Sequence, residues 1–399
     1  MENWEKVRLG DVCIKKISDY VETQLKGLWG SDFDENGICV IKTNNLTYEG
    51  YIDYSDICKR NIDLKQASEN YLQMGDLLIE KSGGTKYHSV GYVNYFDGSS
   101  NKYVCNNFIL ALRPSNKIND KFLFYQIKYK YDTNQFSDCF NKTTGIQNLK
   151  VKDYLDKDIK VYELQTQKHI ACVLDKASSI IEKNKTLLAK YDLLIKSVFV
   201  QMFGDIQLQE KYSGIPLKDI CKTLTGGTPS TNRPEFYQGT IPWITTVSLG
   251  PNHINGKNAK AYISEEAIKK SATKLIPAGS ILFGTRVGVG KSSINDVDMC
   301  TNQDIVALLE IDETKYNKLF IKHVLDQYQS YFDNIKKGAT ILGITSEDLK
   351  KSIIPTPPLS LQNDFASFVE KVEQSKQKAS LSLQKAQTLY KSLMQQFFG

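Results

Sequence analysis

The sequence contains no apolar run that approaches the about 18 residues of a membrane-spanning helix. Its first residues, Met1 to Lys6, are polar, so a secretory signal is not expected. The eight cysteines lie at least 19 positions apart, and none forms a Cys-x-x-Cys pair. This spacing excludes zinc-finger and zinc-ribbon sites and favours reduced thiols in a cytoplasmic protein.

Arginine and histidine are scarce. Five arginines occur, at Arg8, Arg60, Arg113, Arg233 and Arg286, so lysine supplies nearly all of the net charge of +6. Lysine suits neutralisation of phosphate groups, whereas arginine is the commoner reader of guanine edges. This mildly basic balance permits DNA binding without proving it. The four histidines are isolated from one another, which argues against a metal site or a general base: His88, His169, His253 and His323.

Two catalytic signatures are missing. A DNA amino-methyltransferase needs Asp/Asn-Pro-Pro-Tyr/Phe, whereas the one double proline here, Pro357-Pro358, is followed by Leu359. A phosphate-binding loop needs a glycine, four residues and then Gly-Lys-Ser/Thr. Gly284 stands one residue too far from Gly290 for that spacing. We therefore expect no catalytic residue, no metal and no bound cofactor in this chain.

What the sequence does contain is an internal duplication at an offset of 195 residues, since the run ending at Gly204 reappears ending at Gly399 (399 − 204 = 195). The match holds without a gap back to Leu164 and Leu359. In both copies apolar residues recur at alternating spacings of four and three, which predicts a long helix with a coiled-coil seam. The seam residues are Ile170, Leu174, Ile181, Leu188, Tyr191, Ile195 and Val198 in the first copy, and Phe365, Val369, Leu383, Tyr390, Leu393 and Phe397 in the second.

Two interpretations of these helices stay open. Matched seams of equal length favour pairing of the two helices, with Asn184 and Lys376 as polar interruptions that fix the register. Alternatively, each amphipathic helix lies along the core of its own domain.

A globular region of mixed character precedes each helix. Both regions contain a strand-like apolar run that opens with glycine and leads to a Gly-Thr turn, at Gly84-Thr85 and at Gly284-Thr285. Short strands with glycine-rich turns plus some helix indicate an α+β fold. We predict a domain over residues 1–163, a helix over 164–204, a domain over 205–358 and a helix over 359–399.

This organisation resembles the specificity (S) subunits of type I restriction-modification systems. The resemblance rests on two Leu-x-x-Gln helix starts, two Phe-Gly endings and the run from Gly226 to Ser230 that precedes Ile241-Pro242-Trp243. It also includes the turn from Gly284 to Gly288. The first domain departs from the pattern, because it lacks the Gly-Gly-Thr-Pro-Ser run.

The resemblance implies two target-recognition domains that each read one half of a split, asymmetric DNA target. It implies that the helices pair antiparallel as a ruler, with the domains at opposite ends. The implied partners are double-stranded DNA, modification subunits that carry S-adenosylmethionine and flip the target adenine, and translocating restriction subunits. The chain would then supply sequence specificity and no catalysis.

Loops that combine glycine with basic or amide side chains are the candidate DNA contacts. In the first half they are Lys81, Lys86, Tyr87, Asn106, Asn107, Lys142, Thr143, Thr144 and Gln147, and in the second half Thr285, Arg286, Lys291, Asn302, Gln303, Lys336, Lys337 and Thr340. Glycine permits close backbone approach, lysine neutralises phosphate, and the amides of asparagine and glutamine suit adenine N6 and N7. The alternatives are structural turns for the glycine loops and asparagines, and solvated loops for the lysine-rich segments.

Two further functions compete with this reading. A self-sufficient adenine methyltransferase or nuclease would act on DNA alone. A structural coiled-coil adaptor, whose domains bind protein, would give a partner complex no sequence-selective retention of DNA.

Overall fold

The computed structural model describes residues 12–30, 32–85, 88–142, 146–208, 210–338 and 342–399. The chain divides into two compact units. Unit 1 comprises residues 1–185 and 381–399, and unit 2 comprises residues 186–380. Each unit therefore holds one globular domain together with part of both long helices.

Unit 1 alternates short strands with short helices before the first long helix. Its elements are β1 Cys13–Lys16, β2 Val21–Leu25, β3 Phe33–Ile41, β4 Cys58–Arg60, α1 Leu64–Asn70, β5 Leu77–Glu80, β6 Ser82–Gly83, β7 Val93–Tyr95, β8 Tyr103–Cys105, β9 Ile109–Pro114, α2 Asp120–Asp132, β10 Phe140–Lys142, β11 Gln147–Leu149, α3 Val151–Leu155, β12 Asp158–Val161 and α4 Leu164–Phe203, whose second half belongs to unit 2.

Unit 2 repeats this alternation. Its elements are β13 Gly214–Pro216, β14 Lys222–Thr225, β15 Ile241–Ile244, β16 His253–Ile254, β17 Ala261–Ile263, α5 Glu265–Lys270, β18 Ile281–Gly284, β19 Ser292–Asn295, β20 Cys300–Thr301, β21 Ile305–Leu309, α6 Lys318–Gln327, α7 Gln329–Ile335, α8 Ser346–Lys350, β22 Ile353–Pro355 and α9 Leu359–Phe398, whose second half belongs to unit 1.

Three sheets recur in both units with the same strand order, whereas the sheet β10-β11-β6 belongs to unit 1. One sheet runs β2-β9-β5-β7 in unit 1 and β14-β21-β18-β19 in unit 2, where β16 is added parallel to β19. A second sheet runs β4-β3-β8 and β17-β15-β20, and its β3/β8 and β15/β20 pairs are both parallel. The antiparallel pairs β1/β12 and β13/β22 precede the long helices. The prediction of an α+β fold with an internal repeat is confirmed.

The central strands β5 and β18 are buried along their whole length. Alternate residues of a strand point to opposite faces of its sheet, so each strand serves two cores. Leu77 and Ile79 join the core beside the helices, whereas Leu78 joins the core on the other face. Ile281, Leu282 and Phe283 divide in the same way in unit 2. Each such side chain contributes about 1.5–3 kcal/mol through burial.

The predicted helical seams are confirmed, and both interpretations of them hold in part. In unit 1 the start of α4, with Ile170 and Leu174, shares a buried core with Phe397 near the end of α9. In unit 2 Ile195, near the end of α4, shares a core with Phe365 and Val369 near the start of α9. Within each unit the two helices therefore run antiparallel, and they also pack on the core of the globular domain.

The remaining seam residues lie on the covered side of their helices. All of them are half-buried: Ile181, Leu188, Tyr191, Val198, Leu383, Tyr390 and Leu393. The two polar interruptions have partners on the other helix. The Asn184 side-chain amide donates to Ser382 Oγ at 3.3 Å, and Lys376 Nζ lies 2.8 Å from Asp192 Oδ1.

A buried glutamine joins the start of each long helix to its domain. Gln167 Oε1 accepts a hydrogen bond from the backbone N–H of Asn119 at 2.8 Å, and Gln362 Oε1 accepts one from Asn317 at 2.9 Å. Asn119 and Asn317 are the N-cap residues of α2 and α6. The glutamine of the Leu-x-x-Gln motif therefore fixes the short helix of each domain to the long helix that follows.

Candidate nucleic-acid interface

In unit 1, three of the loops that carry predicted DNA contacts meet at the end of β5. Strand β11 of the hairpin β10-β11 also pairs with β6, so that Gln147 lies opposite Gly83. Leu149 N–H donates to the Lys81 carbonyl at 2.8 Å, and Lys81 N–H donates to the Phe108 carbonyl at 2.7 Å. Residues 81–85, 106–108 and 146–149 are therefore held together as one surface, which we call the unit 1 loop cluster.

Unit 2 builds a corresponding surface. The backbone of Gly343 forms isolated antiparallel β-bridges with Arg286 and with Lys337. Ile344 N–H donates to the Thr285 carbonyl at 2.9 Å. Asp304 lies beside the same turn, because its carbonyl accepts hydrogen bonds from both the backbone N–H and the hydroxyl of Thr285. We call residues 284–291, 302–304 and 336–344, apart from 339–341, the unit 2 loop cluster.

The glycine turn of unit 2 is locked by close packing. Gly288 and Gly290 have φ of 92° and 91°, a region that favours glycine. A Cβ on Gly290 would lie 2.0 Å from Gln329 Oε1, and the Gln329 side-chain amide donates to the Val289 carbonyl at 3.0 Å. Val287 adopts a φ of 38° and is exposed at the tip. The turn therefore presents a defined shape, which is a requirement of base and backbone readout.

The predicted amide contacts divide into buried and exposed groups. Asn106 and Asn302 are buried, and their backbone N–H groups donate to the carbonyls of Ile41 and Ile244. Asn107 and Gln303, the residues that follow them, are exposed. The alternative role as turn residues therefore accounts for Asn106 and Asn302, whereas Asn107 and Gln303 stay the better candidates for contact.

Two further candidates make internal contacts. Thr285 is buried, and its hydroxyl donates to the Asp304 carbonyl at 3.0 Å. Gln147 is half-buried, and its side-chain Oε1 accepts a hydrogen bond from Val90 N–H at 3.2 Å. Both side chains shape their loop clusters, and direct DNA contact by either remains a prediction.

The cations of the unit 2 loop cluster differ in exposure and in whether an ion pair holds them. Arg286, Lys291 and Lys337 are exposed. Arg286 Nη1 lies 4.0 Å from Asp304 Oδ1, a weak pairing that leaves the guanidinium available. Lys336 is half-buried and forms an ion pair with Asp333. In unit 1, Lys81 is half-buried at the end of β5.

Six predicted contacts lie outside the described residues. They are Lys86, Tyr87, the side chain of Lys142, Thr143, Thr144 and Thr340. Their roles stay predictions.

Sequence reasoning missed an acidic residue in unit 1. Glu80 ends the apolar strand β5 and is 7% exposed. Burial raises the pKa of its carboxyl group, with a smaller lowering from the Gly84 N–H. An acid at the end of the run Leu77-Leu78-Ile79 was the available signal, because buried glutamate is rare without a partner.

The predicted pairing of Gly84 with Gly284 is wrong. The strand register places Glu80 opposite Ile109 and Gly284 opposite Ile305, so Gly284 corresponds to Glu80. The strands β7 and β19 then align Tyr95 with Ile294, which makes the unit 1 loop five residues longer ((95 − 80) − (294 − 284) = 5). The two Gly-Thr dipeptides occupy different positions after the central strand, because loop length, unlike strand register, is free to vary.

In the described ranges, no three His, Cys, Asp or Glu side chains are grouped so that they could hold a metal ion. Within the same part of the chain, no helix has the length and apolar character needed to cross a membrane.

Comparison with known proteins gives a consistent result. The profile of the family described as "Type I restriction modification DNA specificity domain" matches residues 1–190 and 209–383. The chain is 31% identical over 167 residues to the type I restriction enzyme EcoR124I/EcoR124II specificity subunit of Escherichia coli, covering 39% of this chain and 40% of that protein. It is 28% identical over 173 residues to the MjaIX specificity subunit of Methanocaldococcus jannaschii, covering 42% and 40%. These matches span about two fifths of the length of either relative.

The fold is also shared with a solved structure. The crystal structure of a type I restriction-modification system S subunit from M. genitalium superposes with a TM-score of 0.60 at 15% identity, covering 98% of this chain and 96% of that chain. At this identity the likeness concerns the fold alone.

Proposed function

Because the chain belongs to the family of type I restriction modification DNA specificity domains, we propose that it is the subunit of a type I restriction-modification enzyme that selects the DNA sequence. In this proposal each unit reads one half of a split target on double-stranded DNA. Partner modification subunits, carrying S-adenosylmethionine, methylate adenine, and partner restriction subunits cleave. The chain itself supplies sequence recognition and no chemistry.

The observation that carries the proposal is one scaffold repeated with two different loop clusters. The strand orders of the two units agree, and the buried glutamines Gln167 and Gln362 make the same contacts. Beside the loop clusters, the strand register makes Glu80 of unit 1 correspond to Gly284 of unit 2. It likewise makes Phe108 correspond to Asp304. Because the contacting side chains differ, the two half-targets should differ, and the whole target should be asymmetric.

Binding would combine phosphate and base contacts. The exposed cations Arg286, Lys291 and Lys337 lie where they can neutralise phosphates, or, in the case of Arg286, donate to guanine O6 and N7. The net charge of +6 is modest for a DNA-binding protein, so partner subunits would contribute a share of the affinity.

Partner docking is supported by exposed apolar side chains on the part of α4 that belongs to unit 2. Leu187, Leu193, Leu194 and Val200 are all exposed. The positions 195 residues later on α9 are Ser382, Thr388, Leu389 and Gln395, of which one alone is apolar. Exposed apolar groups collected on one helix are typical of protein interfaces.

The experiment expresses the chain together with a cognate modification subunit in a host without other adenine methyltransferases, and maps methylated adenine by long-read sequencing. We expect a split, asymmetric motif that disappears when this chain is omitted. Replacing residues 12–163 by the matching domain of a relative should change one half of the motif and leave the other half unchanged.

A folded complex with an active modification subunit that adds no methylation would contradict the proposal. That result would favour the structural-adaptor alternative, in which the domains bind protein. A palindromic motif would retain DNA recognition but contradict the assignment of different half-targets to the two units.

A further inference from the structure

The carboxylate of Glu80 lies on the floor of a cleft in unit 1. The cleft has a volume of about 480 Å³, and its walls include Thr43, Asn44, Tyr48, Thr85 and Phe108. Tyr48 stacks on His88 with ring centroids 3.7 Å apart, and Phe108 is 55% exposed. The cleft adjoins the unit 1 loop cluster, since Thr85 and Phe108 belong to both. A cavity of this size, with aromatic walls and one acidic group, is typical of a recognition site.

One oxygen of this carboxylate is unsatisfied. Glu80 Oε1 accepts a long hydrogen bond, 3.4 Å, from Gly84 N–H. Glu80 Oε2 is buried and has no hydrogen-bond partner among the residues that the structure describes. A buried polar atom without a donor costs about 1–3 kcal/mol, and more when it is charged. Within the described part of the chain, the cleft therefore holds an acceptor that no donor satisfies.

The fold does not require this acid. Gly284 occupies the corresponding position in unit 2, at the same point of the same strand order, and β18 forms there without a carboxyl group. In unit 1, Gly83 leaves room for the carboxylate, because a Cβ on Gly83 would lie 2.6 Å from Glu80 Oε1. A costly buried acid that the scaffold can omit is best explained by recognition of a ligand.

We propose that Glu80 determines the base specificity of unit 1, by accepting a hydrogen bond from the exocyclic amino group of a target base, cytosine N4 or adenine N6. This inference rests on the proposed function, because it assumes that the unit 1 loop cluster meets DNA. Guanine O6 and thymine O4 present acceptors at the same edge and would be repelled by the carboxylate. Phe108 and Tyr48 supply the apolar contact beside the base.

The experiment uses the full chain in complex with its modification subunit and compares wild-type protein with Glu80→Met and Glu80→Ala. Both variants remove the acceptor, and methionine keeps the volume of glutamate. The readouts are the methylated motif and the affinity for DNA duplexes that vary one base at a time. We expect the wild type to require cytosine or adenine at one position of one half-target. In the variants the preference at that position should fall about tenfold or more, and the other half-target should be read unchanged.

Glu80→Gln distinguishes the two bases. A glutamine amide can pair with adenine N6 and N7 at once, so an adenine preference should survive, whereas a cytosine preference should weaken or shift towards adenine. Glu49→Gln is the matched control, because Glu49 is an exposed acid of unit 1 that does not line this cleft. Its motif should equal that of the wild type.

Unchanged base preference in folded complexes of both Glu80→Met and Glu80→Ala would overturn the inference. If one variant does not fold, the other decides. Failure of the proposed function would look different, because the wild-type complex would then give no split motif at all.

Discussion

The two units share a scaffold and differ at the loop clusters. Their main sheets have the same strand order, and the parallel pairs β3/β8 and β15/β20 occupy the same place in the second sheet. The loop after the central strand is five residues longer in unit 1, where Glu80 replaces Gly284. Strands buried on both faces tolerate little change, whereas loops at the surface vary freely, so a duplicated domain can change its contacts without changing its fold.

The comparison also extends to the helix beneath each sheet. Counting from the N-caps Asn119 and Asn317, α2 carries Phe124 and Tyr125 where α6 carries Lys322 and His323, and all four are buried. Tyr125 donates to Asp175 Oδ1 on α4 at 2.6 Å. Unit 2 instead encloses a charged group, in which Lys322 Nζ lies 2.8 Å from Asp326 Oδ2. Equivalent positions of the two helices therefore carry different chemistry.

The largest effect should come from the contact that the units have in common. Gln167→Leu and Gln362→Leu each remove the partner of the part-buried N–H of the N-cap residue and of a carbonyl, that of Tyr162 or Pro357. We expect each variant to lower the free energy of unfolding by about 3 kcal/mol. Urea unfolding measures the total, and hydrogen exchange of the amides of α2 and α6 assigns it to one unit.

Gln374→Leu, an exposed glutamine on α9, is the control and should change the stability little. A loss confined to one of the two motif variants would break the equivalence of the units.

The next effect should be a pH-dependent contribution to stability that arises in unit 2 and not in unit 1. Burial raises the pKa of Asp326, but Lys322 and His323 outweigh it and lower this pKa to about 2. A lowered pKa means that Asp326 stabilises unit 2 above its unfolded pKa, and that this contribution is lost as the pH falls through the folded value. We expect Asp326→Asn to cost about 2 kcal/mol at pH 7 and progressively less as the pH falls below 4.

The measurement is urea unfolding from pH 7 down to pH 3, with hydrogen exchange to follow α6 and α2 separately. Protection of α2 should not respond to Asp326→Asn. A cost that stays constant over this range would show that the side chain acts through packing and not through its charge.

The smallest effect should be on the salt dependence of DNA binding. Arg286→Ala removes an exposed cation of the unit 2 loop cluster, so the slope of log affinity against log salt should fall by about 1. Lys315→Ala is the control, because Lys315 is an exposed cation of unit 2 that does not belong to the loop cluster. Its carbonyl accepts a hydrogen bond from the Gln362 side chain at the start of α9. Equal slopes for Arg286→Ala and the wild type would remove Arg286 from the contact surface.

Several features could be predicted from the residues alone. The seams of α4 and α9 were visible because helical packing imposes a spacing of three and four on residues such as Ile170, Leu174 and Val369. The α+β character followed from short apolar runs between glycine turns. What each seam packs against was harder to predict, since the same apolar stripe contacts the other helix at some positions and the domain core at others.

The candidate site was harder to predict. Loops 81–85 and 146–149 are distant in sequence, and their pairing through β6 and β11 depends on how the sheet folds. Asn106 and Asn302 have side chains that suit adenine, but turn formation buries both. Glu80 was overlooked because one acid at the end of an apolar strand has no sequence signature of its own.

By itself the sequence determined the duplication, the two long amphipathic helices and the order of domain and helix, because these follow from local periodicity and from the 195-residue repeat. Tertiary structure alone decided which residue of one unit corresponds to which residue of the other, since strand register is set by burial and not by dipeptide likeness. It also decided that the Glu80 carboxylate is enclosed with one oxygen that no described residue satisfies, because burial depends on the whole surrounding chain.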